Sequence, residues 1–166
     1  TKAAEKSFIP TILLELNFSE SAKRIDFCRM AYRMLNEKEQ INVIERTHPF
    51  TDVDKDEREL AYLYENGIVR GKSATEFCPN DSISREEAAT ILYRLFKFVY
   101  KTDADNSDKE KLYADDNTIG DWAKNSVYSM KTHKIMIGVD NDSFSPKTPF
   151  SLEQTVVTLV RIYEYK

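Results

Sequence analysis

Two stretches of this chain align residue for residue, and any fold it adopts must accommodate the same unit more than once. GIVRGKSATEFCPNDSISREEAATILYRL runs from Gly67 to Leu95, and KIMIGVDNDSFSPKTPFSLEQTVVTLVRI runs from Lys134 to Ile162. They match without a gap at an offset of 67, which pairs Gly71 with Gly138, Phe77 with Phe144, Pro79 with Pro146 and Ser84 with Ser151. It also pairs Glu86 with Glu153, Leu92 with Leu159 and Arg94 with Arg161. Upstream, Phe50-Thr51-Asp52 answers Tyr113-Ala114-Asp115. A further copy lies near the start: SESAKRIDFCRMAYRML, Ser19 to Leu35, aligns with the segment after Ser82 at an offset of 61. Arg24 then falls on Arg85 and Asp26 on Glu87, while the front half, Ala4 to Pro10, resembles the segment around Gly67 in truncated form. Self-similarity of this kind marks tandem units that bury their apolar faces against one another. The expectation is one domain over 1–166, built from repeats at about 1–40 (incomplete), 48–98 and 111–165.

Each repeat follows one plan. A polar loop with aromatic-x-Asp leads to a short helix, expected near 57–66 and 121–132, then a glycine turn, a loop with Phe-x-Pro, and a longer helix. The longer helices are expected near 22–36, 84–98 and 151–164. Phe27, Met30, Ala31, Met34 and Leu35 recur at i, i+3, i+4, i+7 and i+8, as do Ala88, Ile91, Leu92, Leu95 and Phe96. Thr155, Thr158, Leu159, Ile162 and Tyr163 repeat the pattern less purely. This spacing is one face of a helix. Three such faces are buried most economically against each other, so the predicted fold is mainly α, three pseudo-repeats around a central three-helix bundle. Gly71 and Gly138 are expected to be turn residues with positive φ. Phe77 and Phe144 read as core plugs. Lys101 to Lys111 is a charged connector without periodicity.

Composition narrows the function. A net charge of −4 argues against general attraction to nucleic acid or an anionic membrane. No apolar run approaches the ~18 residues a bilayer-spanning helix needs. The first residue is Thr, as in a processed or excised chain. Cys28 and Cys78 are too few for a disulfide scaffold or a zinc site, and Cys28 reads as a small core residue. His48 and His133 stand apart from any metal spacing. Asp52-Val53-Asp54-Lys55-Asp56 has the look of a calcium loop, but Glu57 and Leu63 stand where the loop needs a glycine and a bidentate acid. No nucleophile, base and orienting partner form a recognisable set, and there is no phosphate-cradling loop. The reading is a protein without catalysis, metal or cofactor.

The ordered motifs aromatic-x-Asp, Trp-Ala, Gly-Ile-x-x-Gly, Phe-x-Pro and Ile-Ser-Arg-x-Glu resemble the S-layer homology module, over nearly the whole chain and best over Phe50 to Leu95. The resemblance implies a pseudo-threefold spindle around a central bundle. It implies non-covalent anchoring of a larger secreted, multidomain protein to an anionic secondary polymer of the bacterial cell wall. A ketal-linked pyruvate would be one source of the polymer's charge. The family's ligand-contacting motif carries over to Arg85 and Glu87 in the second repeat and to Arg24 and Asp26 in the first. The third repeat departs, with Ser151-Leu152-Glu153-Gln154, and the family's tryptophan appears only as Trp122, with Lys55 in its place one repeat earlier. Losses of this kind also fit an alternative, a degenerate module acting as a structural or protein-interaction domain.

Arginine offers a rigid fork of donors suited to carboxylates, and a helix N-terminus adds favourable potential for an anion. The local alternative is capping. Ser84-Arg85-Glu86-Glu87 is a capping box, and Ser151-Leu152-Glu153-Gln154 is another without the arginine. Glu87 therefore has a local task, whereas the arginines have none in the cap and carry the binding expectation. Trp122 reads more readily as a partly buried packing residue than as a sugar platform. The candidate ligand-binding set is Arg24, Asp26, Arg85, Glu87 and Trp122.

Overall fold

The computed structural model describes residues 19–41, 47–102, 113–140 and 142–166. The truncated front half of the first repeat and most of the Lys101 to Lys111 connector lie outside them. Among the described residues five α-helices account for the regular structure: α1 (Arg24–Glu39), α2 (Arg58–Glu65), α3 (Arg85–Tyr100), α4 (Asp121–Thr132) and α5 (Leu152–Tyr163), with a 3₁₀ turn at Asp116–Thr118. Among the described residues there are no strands, only three isolated antiparallel bridges. The protein is mainly α, as the periodicity predicts.

The apolar stripes explain the packing. α5 packs against both α1 and α3, while α1 also carries α2 and α3 carries α4. Every stripe residue of α1 and α3 is buried, and so are Thr155, Thr158, Leu159 and Ile162 of α5; Tyr163 is half-buried. The threonines can stand in the α5 stripe because their hydroxyls are satisfied within the helix: Thr155 Oγ1 donates to the Ser151 carbonyl and Thr158 Oγ1 to that of Gln154, both at 2.9 Å. Phe77 and Phe144 are fully buried plugs, as expected.

The segments just before the three long helices are tied together by the backbone. Ala22 N–H donates to the Phe150 carbonyl at 2.8 Å, Phe150 N–H to that of Ile83 at 2.8 Å, and Ile83 N–H to that of Ala22 at 3.0 Å. These three residues occupy matching positions in the sequence alignment, are all buried, and close a ring of hydrogen bonds. Helix capping then follows the local sequence. Ser84 and Ser151 each form a complete capping box, with Glu87 and Gln154 respectively, whereas Lys23 begins α1 with no side-chain cap. Gln40 and Lys101, just after α1 and α3, adopt left-handed conformations with φ of 49° and 52°.

The aromatic-x-Asp motif has a structural task. The Asp52 carboxylate accepts from Phe77 N–H at 2.9 Å and Cys78 N–H at 2.7 Å, and Asp115 accepts from Phe144 N–H at 2.8 Å and Ser145 N–H at 2.7 Å. Each aspartate thereby holds the loop that carries the buried phenylalanine. Cys78 and Ser145 both have φ of 58°, so the aspartates anchor a backbone conformation that L-residues rarely adopt. The hydrogen bond from Phe77 N–H, aided by that from Cys78 N–H, lowers the Asp52 pKa below the ordinary aspartate value of 3.8. Because the folded value is depressed, the stabilisation is complete above the unfolded value and disappears as pH falls through the folded one. Asp52→Asn is expected to cost about 1 kcal/mol at neutral pH and to flatten the stability curve below about pH 4, as read by urea melts across an acid series.

Two expectations need correction. Gly71 and Gly138 do not have positive φ; the one glycine that does is Gly67, at 68°. They are required by space. A Cβ on Gly71 would lie 2.5 Å from the Phe50 ring and from the Glu76 carbonyl oxygen, and one on Gly138 would lie 2.7 Å from the Ser143 carbonyl oxygen. Trp122 is not a packing residue, being 59% exposed. The two cysteines are free, and burial pushes the Cys28 thiol up to about 12.

Candidate functional site

The arginines that open α1 and α3 are buried, and their guanidinium groups are spent on the protein itself. Arg24 Nε–H donates to the Phe77 carbonyl at 3.0 Å, and its Nη2 donates to that of Arg70 at 3.3 Å. Its Nη1 stands 3.4 Å from Glu87 Oε1, and the guanidinium carbon lies 4.8 Å from the centre of the Phe77 ring. Arg85 repeats the arrangement one unit on: Nε donates to the Phe144 carbonyl at 2.8 Å and Nη2 to that of Ile137 at 2.9 Å, above the Phe144 ring at 4.9 Å. Each arginine pins the glycine turn of the following unit to the start of a long helix. Burial pushes the Arg85 guanidinium below its ordinary value, with Tyr113 and Asp115 opposing the shift.

A groove of about 530 Å³ opens above Arg24. It is lined by Arg24, Arg70, Gly71, Lys72, Glu87, Thr90, Ile91, Arg94 and Trp122. Gly71 lets the chain pass close under the groove, and its two neighbours, Arg70 and Lys72, are exposed cations. Lys72 is paired with Asp81 at 2.7 Å and Arg24 with Glu87. Among the described residues no carboxylate is within ion-pairing distance of Arg70 or Arg94, leaving two uncompensated positive charges. The Arg94 pKa is lowered by burial first and then by repulsion from Arg70, which places the two guanidinium groups in each other's field. Trp122, the chain's one tryptophan, stands exposed at the edge.

A second groove of about 360 Å³ lies above Arg85, and every lining residue of the first except Trp122 has its aligned counterpart there. Ile137 stands for Arg70, Val139 for Lys72, Gln154 for Glu87, Val157 for Thr90 and Arg161 for Arg94. The cations beside the glycine have become exposed apolar side chains, and Arg161 Nη1 is turned to the Ile135 carbonyl at 3.1 Å. Two grooves built on equivalent positions therefore differ in chemistry.

Of the five predicted residues, Arg24, Glu87 and Trp122 come together in the first groove and Arg85 lies in the second. Asp26 borders neither groove; its carboxylate stands 3.5 Å from Arg29. Glu87 serves two tasks, accepting from Ser84 N–H at 3.0 Å in the capping box and facing Arg24. Arg70, Lys72 and Arg94 were not among the predicted residues. The signal for the first two was the flank of the aligned glycines, Arg-Gly-Lys against Ile-Gly-Val.

Comparison with known proteins gives this geometry a family. The S-layer homology domain matches at residues 49–89 and 112–156, which together make up more than half of the chain. An endoglucanase of Bacillus sp. (strain KSM-635) is 28% identical over 142 residues, 82% of this chain and 14% of that protein. Exoglucanase XynX of Acetivibrio thermocellus is 31% identical over 132 residues, 78% of this chain and 12% of that protein. The surface-layer 125 kDa protein of Lysinibacillus sphaericus is 32% identical over 108 residues, 63% of this chain and 9% of that protein. The chain thus spans less than a sixth of the length of each of these relatives. On the strength of the two matched segments and the helical architecture that carries them, this chain belongs to the S-layer homology family.

Proposed function

We propose that the domain anchors a larger protein to the bacterial cell wall or S-layer by binding an anionic secondary wall polymer non-covalently, and that the groove above Arg24 is its binding site. The observation that carries this reading is the pair Arg70 and Arg94, two uncompensated cations in one groove beside an exposed tryptophan. Guanidinium groups donate in a fork that fits a carboxylate, such as a pyruvate ketal supplies, and an indole offers a flat face to a sugar ring. In this reading Arg24 and Glu87 form the floor that positions the glycine turn, and Arg70, Lys72, Arg94 and Trp122 face the polymer. Nothing in the site requires a nucleophile, a metal or a cofactor. The chain is one domain of three repeats, the first incomplete, a reading supported by the closed ring through Ala22, Ile83 and Phe150. Family membership and the surface-layer relative support its place at the cell wall.

Co-sedimentation with purified wall sacculi tests this. The domain is expected to pellet with sacculi that retain their secondary polymer, to stay in solution with sacculi stripped of it, and to be released by salt, because exposed charge pairs are screened. Equal retention by stripped sacculi, or none by intact ones, sinks the reading. A second reading, a protein-interaction module, is favoured by one observation, the exposed Ile137, Val139 and Val157 of the second groove. It predicts that wall retention is independent of Arg70 and Arg94.

A further inference from the structure

Glu86 has a buried carboxylate outside any capping box, and its partners lead to the rim of the first groove. The residue is 4% exposed. Its Oε2 accepts from Gly120 N–H at 3.0 Å, and its Oε1 accepts from Lys147 Nζ. It therefore joins α3 to the turn that starts α4 and to the segment that precedes α5. Gly120 is the residue before α4 and has no side chain to cap the helix. Its φ of −59° is open to any residue, so backbone conformation does not explain the glycine. Space does. A Cβ there would lie 2.5 Å from Trp122 Nε1 and 3.0 Å from its Cδ1, so the five-membered part of the indole occupies the space beside Gly120. The same indole is more than half exposed and lines the groove.

The other copies bear on this link. In the second repeat Val53 and Lys55 stand where Gly120 and Trp122 stand in the third, so glycine and tryptophan are absent together. Glu153, the counterpart of Glu86, is exposed at the second groove. An exposed aromatic ring on the first turn of a helix has free rotation unless something fixes it, and a freely rotating ring loses entropy on binding. The bare glycine gives the indole room to lie against the turn, and the buried carboxylate ties that turn to α3.

We propose that Glu86 is a positioning residue for the groove: its carboxylate holds the Gly120 turn, and the turn holds the Trp122 indole over the bound polymer. The proposal rests on the polymer-binding reading for its ligand, but its geometry is testable without ligand. Trp122 is the sole tryptophan, so emission anisotropy and acrylamide quenching of the whole chain report that one ring. Glu86→Ala is expected to raise the quenching constant about twofold and lower the anisotropy. Glu86→Gln is expected to keep the parent's values, because the amide oxygen still accepts from Gly120 N–H although the charge facing Lys147 is gone. Gly120→Ala leaves the Glu86 hydrogen bond in place and displaces the ring directly, so it serves even where Glu86→Ala folds poorly. Affinity for the purified secondary polymer should fall about tenfold in Glu86→Ala and Gly120→Ala and stay within twofold in Glu86→Gln. Unchanged tryptophan signals in folded Glu86→Ala overturn the proposal. So does an equal loss of affinity in Glu86→Gln and Glu86→Ala, or parental affinity in a Gly120→Ala variant whose ring has moved. A parent that does not bind the polymer refutes the polymer reading instead, and the fluorescence of the unliganded variants still decides whether Glu86 sets the ring.

Discussion

The double variant Arg70→Gln/Arg94→Gln is expected to lose about a hundredfold in affinity for the anionic polymer while melting within a degree or two of the parent. The two effects separate because of where the charges lie. Arg70 is exposed and Arg94 half-buried, and no ion pair among the described residues depends on either. Glutamine keeps most of each apolar stem, so little packing is lost. Removing them also removes the repulsion between Arg70 and Arg94, which offsets that loss. In the complex each guanidinium makes a charge-assisted contact worth roughly 1–1.5 kcal/mol at a partly exposed site, and the pair together gives the hundredfold. The salt dependence of binding should flatten at the same time, because two of the screened charges are gone. Titration of purified polymer at two ionic strengths measures both quantities. A double variant that binds like the parent removes the groove above Arg24 as the site.

Arg85→Met is expected to do the opposite: to lower stability by about 3 kcal/mol and leave polymer affinity within a fewfold of the parent's. The Arg85 guanidinium satisfies two carbonyls, those of Phe144 and Ile137, and lies against the Phe144 and Phe150 rings. Methionine fills much of the volume but donates nothing, so both carbonyls lose their partner. Each lost bond to a charged donor costs on the order of 1.5–3 kcal/mol, and the relief of a buried charge takes back part of the total. For a chain of 166 residues that corresponds to a melting temperature lower by about 10 °C. Binding survives because the groove above Arg24 holds Arg70 and Arg94 beside Trp122, whereas the cations of the groove above Arg85, Arg85 itself and Arg161, are turned to backbone carbonyls. A stable Arg85→Met variant with lost binding would mean that this arginine faces ligand after all. Thermal melts and co-sedimentation on the same preparation separate the two outcomes.

Much of the fold was legible because it depends on local pattern. The i, i+3, i+4, i+7 stripes from Phe27, from Ala88 and from Thr155 located all three long helices to within two or three residues at each end. The capping boxes at Ser84 and Ser151 formed as written, because hydroxyl and acceptor are three residues apart in one turn. The site was legible only in part. Arg24, Glu87 and Trp122 do meet in one groove, but they come from the starts of α1, α3 and α4, and no local rule brings three such points together. The role of Arg24 was hidden for the same reason: its acceptors are carbonyls of Arg70 and Phe77, more than forty residues away.

What the sequence determined by itself was the repeating unit, its helices and caps, and the positions at which the copies differ, since each of these is a matter of spacing along one segment. Only the tertiary structure decided which differences matter. It buried Arg24 and Arg85 against distant carbonyls and so took them away from solvent. It also set Arg70 and Arg94 in one groove and in each other's field, with no carboxylate within ion-pairing distance of either among the described residues. An arginine's charge is written in the sequence, but whether that charge is satisfied by the protein or left for a ligand depends on which backbone acceptors the fold brings within about 3 Å.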